Sequence, residues 1–483
     1  MGYKNLQKES IICTPKLPYL VNNERFQAKN IAYISLSMLI VILSLLLPRP
    51  AELSRDGMVM LGILMMAAVL WITEVIPLAV TGILIMILQP LLTSMEASQV
   101  FSNFGNKAVF FIIGSFMLAT AIEKHGLHKR IALKMLSWFG KGPKIFLFGA
   151  LLVGATLSLI MQEHAVAILL LPVFMHILVS MKLPPKTSNF GIATMIALTF
   201  GTSIGSWGTL LGGARNPLTI GFLENIGYEI SFLDWIKMAL PMVFIALPFA
   251  WLVLIILFPP EIKDIEIARK EIEKDVLRMG KMGREEKKVL IIYLFIITMW
   301  IFVSQQIGVA VIALIGVVLM FSFRVVNWAD VEKGVQWGII LLYGGAITMG
   351  IGLQQTGAAE WLAKNILSIV GGNSYAALAC LIIVGFLLTN LMSNTAAVAF
   401  LLPIGVGISG AVGLSPLIAS FAIALAGGGA FMLIIATPGA AIAYSSGYFS
   451  PKHLLKAGFI TSVICMLFLF LLAVLYWQGV LGL

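Results

Sequence analysis

The chain has 483 residues, of which 60% are hydrophobic and only 11% are charged. A soluble domain carries roughly 25% charged residues, so this composition excludes a soluble globular protein and predicts an all-α polytopic membrane protein. The net charge of +10 does not by itself indicate nucleic acid, because Lys and Arg accumulate in the cytoplasmic loops of membrane proteins. We therefore expect no nucleic-acid partner. The cysteines Cys13, Cys380 and Cys465 lack metal or redox spacing, so we also expect no metal centre.

The first predicted element is a basic, polar tail over residues 1–30, which the positive-inside rule places in the cytoplasm. The apolar stretch at about 145–180 is interrupted by Gln162-Glu163-His164, and basic loops flank it on both sides. We therefore predict a re-entrant hairpin, because polar backbone at membrane depth is tolerated only inside protein or beside a water-filled cavity. Membrane-spanning helices of the first half are predicted near 31–48, 56–72, 74–92, 106–122, 189–215 and 237–258.

A charged segment at 259–288 separates the two halves and is predicted to be a cytoplasmic linker helix; lipid or partner binding is the alternative interpretation. A second hairpin is predicted at about 374–409. These elements give eleven crossings and two hairpins, with the C-terminus outside the cell. Membrane-spanning helices of the second half are predicted near 286–305, 307–324, 335–355, 417–445 and 455–479.

Both hairpins carry one sequence frame. Gln162-Glu163-His164 precedes Leu170-Leu171-Pro172, and Ser393-Asn394-Thr395 precedes Leu401-Leu402-Pro403. The differences 393 − 162 and 403 − 172 both equal 231, so the chain contains two copies of one unit. Five crossings separate equivalent points, and an odd number makes the repeats inverted. Transporters of this design bind substrate near the bilayer midplane, so we expect the two tripeptides to face each other there.

The second tripeptide suits an anion. A dianion at membrane depth loses most of its hydration, so its site must supply hydrogen-bond donors. Asn394 offers amide hydrogens, and Ser393 and Thr395 offer hydroxyls. Thr437-Pro438-Gly439 is expected to break a later helix and to leave backbone groups free. The alternative is that Ser393-Asn394-Thr395 only bonds neighbouring helices, as small polar residues do in helix bundles.

Five segments resemble, in order, the divalent-anion/sodium symporter family, and the resemblance runs from about residue 30 to the end. It implies an elevator-type transporter of dicarboxylates, tricarboxylates or sulfate, working as a homodimer in the plasma membrane. The segments are 71–81, Ser203-Ile204-Gly205 with Gly208-Thr209 and Asn216, 231–237, Ser393-Asn394-Thr395, and Ala436-Thr437-Pro438 with Ser446-Gly447. The substrate-binding residues that we predict are Gln162, Glu163, His164, Gly212, Ser393, Asn394, Thr395 and Pro438.

The resemblance also implies a scaffold part and a mobile transport part in each repeat. After the tail 1–30, the predicted units are scaffold 31–144 and transport 145–258, the linker 259–288, then scaffold 289–373 and transport 374–483.

The first tripeptide departs from the family. Sodium-driven members carry Ser-Asn-Thr in both hairpins, and they have a small residue or proline where this chain has Arg215. We expect His164 and Arg215 to offset the charge of the substrate, with Glu163 paired to His164 or to Arg215. Three alternatives stay open: Glu163 and His164 form an ordinary buried ion pair, His164 carries protons, or Arg215 lies too far along its helix to meet substrate. A residual cation site, with sodium as the one candidate ion, is predicted from Thr389, Asn394 and Ala436.

The sequence thus favours exchange of dicarboxylates such as succinate, fumarate, malate or 2-oxoglutarate. A fixed positive charge that is unpaired without substrate would oppose an empty return across the membrane. Sodium- or proton-coupled uptake, and sulfate or arsenite transport, stay open. A membrane enzyme or receptor is disfavoured because the sequence shows no catalytic cluster and no P-loop.

Overall fold

The computed structural model describes residues 23–139, 142–370 and 372–483, so most of the predicted tail lies outside the described residues, as does Cys13. Regular structure in these ranges is helical, which confirms the predicted fold class. The first half comprises α1 Asn23–Leu46, α2 Arg55–Thr73, α3 Leu78–Leu92, α4 Ala97–Ser102, α5 Lys107–Lys124, α6 Leu127–Ser137, α7 Pro143–Ser158, α8 Glu163–Ser180, α9 Asn189–Gly205, α10 Arg215–Asn225 and α11 Phe232–Leu257.

The second half begins with the predicted linker helix and then repeats the same order of elements. Its helices are α12 Glu266–Arg278, α13 Arg284–Ile307, α14 Val309–Ser322, α15 Trp328–Gly334, α16 Trp337–Gln355, α17 Ala358–Val370, α18 Ser374–Leu391, α19 Asn394–Val412, α20 Pro416–Ala426, α21 Pro438–Ser445 and α22 Pro451–Leu471, which continues as π-helix over Leu472–Gln478. Short 3-10 turns lie at Asn103–Gly105 and Ile434–Ala436.

The chain is a multi-pass membrane protein. Among the described residues, nine helices are long and apolar enough to cross a bilayer, or ten when the bent pair α4–α5 is counted as one span. Three of the nine, α8, α18 and α19, are arms of the hairpins. Eleven crossings would require the shorter apolar helices α3 and α14 and the broken segments described below, so that count stays a prediction.

The repeat is visible in how the helices of the predicted scaffold parts pack. Helix α3 lies along α16, and α5 lies along α14. A methyl group at Gly345 would overlap the backbone of Gly82, and one at Gly114 would overlap Ala313. Adding the repeat length to Gly82 gives Ala313, and adding it to Gly114 gives Gly345. The contact of Gly82 with Gly345 is therefore the counterpart, in the other repeat, of the contact of Ala313 with Gly114. Such reciprocity is the mark of a two-fold relation, and small residues allow the close approach.

The predicted span at 189–215 is wrong as a continuous helix, whereas the span at 417–445 is broken as expected. The span at 189–215 breaks after Gly205, because Asn216 Nδ2 donates to the carbonyls of Ser206 (2.7 Å) and Thr209 (2.6 Å) and so satisfies backbone freed from the helix.

The span at 417–445 breaks as expected before Pro438, but the unwound stretch already begins at Gly427. There the Thr389 hydroxyl lies 2.5 Å from the Gly427 carbonyl, and Asn390 Oδ1 accepts from Met432 N at 3.0 Å. Side-chain hydrogen bonds therefore support the non-helical backbone in both repeats.

Candidate functional site

The two hairpin tips meet. Helices α7 and α8 turn at 159–162, and α18 and α19 turn at 392–393. Asn394 Nδ2 donates to Glu163 Oε1 at 3.0 Å, and these two residues stand 231 positions apart. Because the contact joins equivalent residues of the two copies, it lies at the axis that relates the repeats. The predicted meeting of the tripeptides is confirmed, and in an inverted repeat that axis lies in the membrane plane.

A cavity of about 320 Å³ lies beside this contact. The predicted site residues that line it are Gln162, Glu163, His164, Arg215, Ser393, Asn394, Thr395, Ala436 and Pro438. The lining residues that the sequence did not predict are Leu78, Gly213, Ala214, Gln336, Ile339 and Leu342. Four of these six, Leu78, Gln336, Ile339 and Leu342, lie in the predicted scaffold parts, so the cavity has one wall from each part.

Four helices begin at the cavity wall. Helices α8, α10, α19 and α21 start at Glu163, Arg215, Asn394 and Pro438, and each of these residues lines the cavity. The first turn of a helix leaves backbone N–H groups without helical partners and carries the positive end of the helix dipole. Two such ends come from each repeat, and together they form an environment that attracts anions.

The two tips close their first turns differently. Ser393 Oγ accepts from Ala396 N at 3.3 Å and caps α19. Gln162 occupies the same position before α8, but its side chain makes no cap bond. Instead, Glu163 N donates to the Gly212 carbonyl at 3.0 Å. Gly212 is buried behind the tip and does not line the cavity, so the residue predicted to touch substrate supports the hairpin from below.

Arg215 is almost fully buried, with 1% of its surface exposed. Its Nη2 donates to Ser206 Oγ (2.7 Å), its Nε donates to the Ala424 carbonyl (3.2 Å), and its Nη1 lies 3.8 Å from Glu163 Oε2. The partner of Glu163 is therefore Arg215. Arg215 also reaches the cavity, so the alternative that it lies too far along its helix is wrong. The expectation of an unpaired fixed charge is also wrong, because Glu163 offsets it.

His164 faces the cavity wall that comes from the predicted scaffold parts. Its Nε2 contacts the side-chain amide of Gln336, and no carboxylate pairs with it among the described residues. The interpretation of Glu163 and His164 as a buried ion pair is therefore wrong. Gln336 was missed because one polar residue before an apolar run indicates only where a helix starts; its place at the N-terminus of α16 was the available signal.

Side chains of the protein itself bond to the unwound segments. The guanidinium of Arg215 bonds the end of α20, and a methyl group at Gly428 would overlap its Nη2. Asn216 holds the carbonyls that follow α9. In the predicted residual site, Thr389 Oγ1 lies 2.7 Å from Asn394 Oδ1 and 2.5 Å from the Gly427 carbonyl, while Ala436 lies on the cavity wall. Oxygens thus converge there, but the hydroxyl hydrogen already serves that cluster.

The chain is similar to known transport proteins over almost its whole length. The family model described as "sodium:sulfate symporter transmembrane region" matches residues 28–483. A protein named sodium-dependent dicarboxylate transporter SdcS from Staphylococcus saprophyticus is 30% identical over 511 residues, covering 99% of this chain and 98% of that protein. SdcS from Staphylococcus aureus (strain USA300) is 30% identical over 514 residues, covering 100% and 98%. The crystal structure of the Alcanivorax borkumensis YdaH transporter has a TM-score of 0.50 at 13% identity, covers 94% of this chain and 98% of that chain, and is similar in fold alone.

Proposed function

The chain belongs to the sodium:sulfate symporter family, and from this premise we propose that it is a secondary transporter that exchanges dicarboxylates across the plasma membrane. The observation that carries the proposal is the convergence of four helix N-termini on one cavity where the two repeats meet. Fixed N–H dipoles of this kind replace the water that a dianion loses at membrane depth.

The substrate class follows from the pairing of the repeats. Each repeat contributes two helix N-termini, so the cavity offers two similar anion-binding ends, and a molecule with a carboxylate at each end matches both. The volume of the cavity, about 320 Å³, lies in the range of small-molecule pockets. Succinate, fumarate, malate and 2-oxoglutarate fit this description, whereas sulfate has a single centre. The printed names of the two SdcS relatives support the same class.

We infer that exchange does not need sodium. The positive charge of Arg215 already lies against the end of α20, and the amide of Asn216 holds the carbonyls after α9. Carbonyl groups at such helix ends are where a transporter of this design binds a coupling cation. Sodium-coupled symport is the second candidate, favoured by the names of the relatives and by the oxygens that converge at Thr389.

An elevator movement is supported by a break in symmetry. Within the predicted transport parts, α10 packs on α19 and α21 packs on α8, which are exchanged pairs like those of the scaffold. Between the parts, α10 contacts α5 and α19 contacts α16, but the exchanged pairs have no comparable contact among the described residues. Each part thus keeps the two-fold relation, but the position of one part relative to the other does not. This is the result expected if one part is displaced along the other. In the observed position, His164 of the predicted transport part contacts Gln336 at the start of α16.

The test is counterflow of radiolabelled succinate in proteoliposomes. Vesicles loaded with unlabelled succinate and empty vesicles are compared, in choline buffer and in sodium buffer, with the other dicarboxylates and sulfate as competitors. We expect uptake that needs internal dicarboxylate, proceeds in choline, and is inhibited by dicarboxylates more than by sulfate. Concentrative uptake into empty vesicles under a sodium gradient would favour the symporter. Absence of dicarboxylate uptake in all conditions would refute the proposal.

A further inference from the structure

The carboxylate of Glu163 is only half satisfied. Glu163 has 8% of its surface exposed and lines the cavity. Its Oε1 accepts from Asn394, whereas its Oε2 is buried without a hydrogen-bond partner among the described residues. The Arg215 Nη1 is 3.8 Å from Oε2, which is beyond hydrogen-bond distance. A buried carboxylate oxygen without a hydrogen-bond partner, on a residue that lines an anion cavity, needs an explanation.

The charges around Glu163 give a second reason to ask how this carboxylate behaves when substrate binds. The charged and polar groups that face it are Arg215 from α10 and the neutral amide of Asn394 from α19. The hydroxyl of Ser206, which follows α9, also lies close to the carboxylate, but it donates to the Ser203 carbonyl. The neighbour of Glu163 on α8, His164, pairs with a neutral amide. The phenol of Tyr343 on α16 lies within electrostatic reach of Arg215. With Glu163 ionised, its charge cancels that of Arg215. A bound dicarboxylate would then cross the membrane with both of its charges uncompensated and with one carboxylate beside another.

Two carboxylates that share a dehydrated site do not both stay ionised; one of them takes up a proton. We propose that Glu163 binds one proton together with each dicarboxylate. The proton enters from solvent onto the carboxylate of Glu163, and the resulting O–H donates to an oxygen of the substrate carboxylate. Arg215 is then free of its counter-charge and offsets one of the two substrate charges. When the substrate leaves, the proton returns to water and the ion pair of Glu163 with Arg215 forms again.

This inference rests on the proposed function, because it requires that dicarboxylates bind in this cavity. It also explains how exchange can occur without a metal ion. Each direction of exchange would carry one proton, so exchange would move no net proton across the membrane. Binding alone would still take up a proton, and the affinity for succinate should weaken by about ten-fold per pH unit as the pH rises above the range in which succinate itself titrates.

The test is isothermal titration calorimetry of succinate binding to the purified full-length protein. Titrations are run at one pH in buffers that differ in ionisation enthalpy. The slope of the observed enthalpy against the buffer enthalpy gives the number of protons taken up. We expect a slope near one for the wild type and near zero for Glu163→Gln, which cannot titrate. His164→Gln should keep the slope of the wild type, because the inference gives His164 no proton.

Three results would overturn the inference: a slope near zero for wild-type protein that binds succinate, a slope near one for Glu163→Gln, or loss of the slope in His164→Gln alone. If Glu163→Gln does not fold, the pH dependence of the wild-type affinity decides, and a flat profile would overturn the inference. Absence of succinate binding by folded wild-type protein would instead refute the proposed function, so the two failures are distinguishable.

Discussion

The two hairpin tips occupy equivalent positions in the repeat, and they meet, yet their chemistry differs. The second tip is neutral: Ser393 caps its helix, and Asn394 joins Thr389 to Glu163. The first tip carries an acid, Glu163, whose counter-charge comes from Arg215 beyond the broken helix. The shared backbone gives both repeats the same helix N-termini. The difference lies in the side chains, and we infer that it sets how substrate charge is balanced.

In this account, the first tip holds permanently the charges that a mobile cation would otherwise bring. A resident charge needs a partner when substrate is absent, and Glu163 supplies it. Substitutions at each tip can test whether the two tips divide the work in this way.

Replacing Arg215 by Met should destabilise the protein by about 3–5 kcal/mol at neutral pH, because it leaves the carboxylate of Glu163 buried without its counter-charge. The double variant Glu163→Gln with Arg215→Met should recover most of that loss. The measurement is the free energy of unfolding in mixed micelles for both single variants and the double variant. Equal losses in Arg215→Met and in the double variant would show that the two residues are not coupled.

At the second tip, Asn394→Ala and Thr395→Ala should each weaken succinate binding by about ten- to a hundred-fold. The reason is that a hydrogen bond to a charged group is worth roughly 1.5–3 kcal/mol. Thr298→Ala is the matched control, since the Thr298 hydroxyl donates to the Leu294 carbonyl of its own helix. Affinities measured on purified, folded variants decide the matter; wild-type affinity in both would remove the second tip from the site.

Giving the first tip the chemistry of the second should create sodium dependence. The variant combines Gln162→Ser, Glu163→Asn, His164→Thr and Arg215→Ala. It restores hydroxyl and amide oxygens and removes the guanidinium that lies against Gly428. Sodium should then tighten succinate binding by about ten-fold, which is within the usual range of coupling between two ligands. If the variant binds succinate and sodium does not change its affinity, the proposal that the charged residues of the first tip replace a coupling cation is wrong.

The smallest effect is expected where the first tip touches the scaffold. Gln336→Ala removes the contact with His164 in the observed position, and a neutral hydrogen bond contributes about 1 kcal/mol. We expect the exchange rate in proteoliposomes to change several-fold, with a smaller change in affinity. Gln355→Ala is the control, because Gln355 bonds to Gln99 within the scaffold (3.1 Å). Equal effects of the two variants would argue against movement at the contact with Gln336.

Much of the fold could be predicted from the sequence, because the same repeat length separates Gln162 from Ser393 and Pro172 from Pro403. The composition predicted a helical membrane protein, and the repeat predicted both hairpins and the meeting of their tips. The break after Gly205 was missed because the amide that stabilises it, on Asn216, acts on carbonyls that appear only in the folded chain.

The site was predicted in its residues but not in its pairings. Arg215 bonds the Ala424 carbonyl, which lies 209 positions away, so its partner depends on how the two repeats dock. For the same reason the sequence left both His164 and Arg215 open as partners of Glu163. Gly212, predicted to touch substrate, instead accepts a hydrogen bond from Glu163 N behind the tip.

The central claim is that the chain's own donors, above all Arg215, replace a coupling cation. The most direct measurement is the affinity of the purified protein for succinate in sodium chloride and in choline chloride at equal ionic strength. The account predicts dissociation constants that agree within about two-fold. Binding that is ten-fold or more tighter in sodium, equivalent to a coupling free energy of roughly 1.4 kcal/mol, would contradict it.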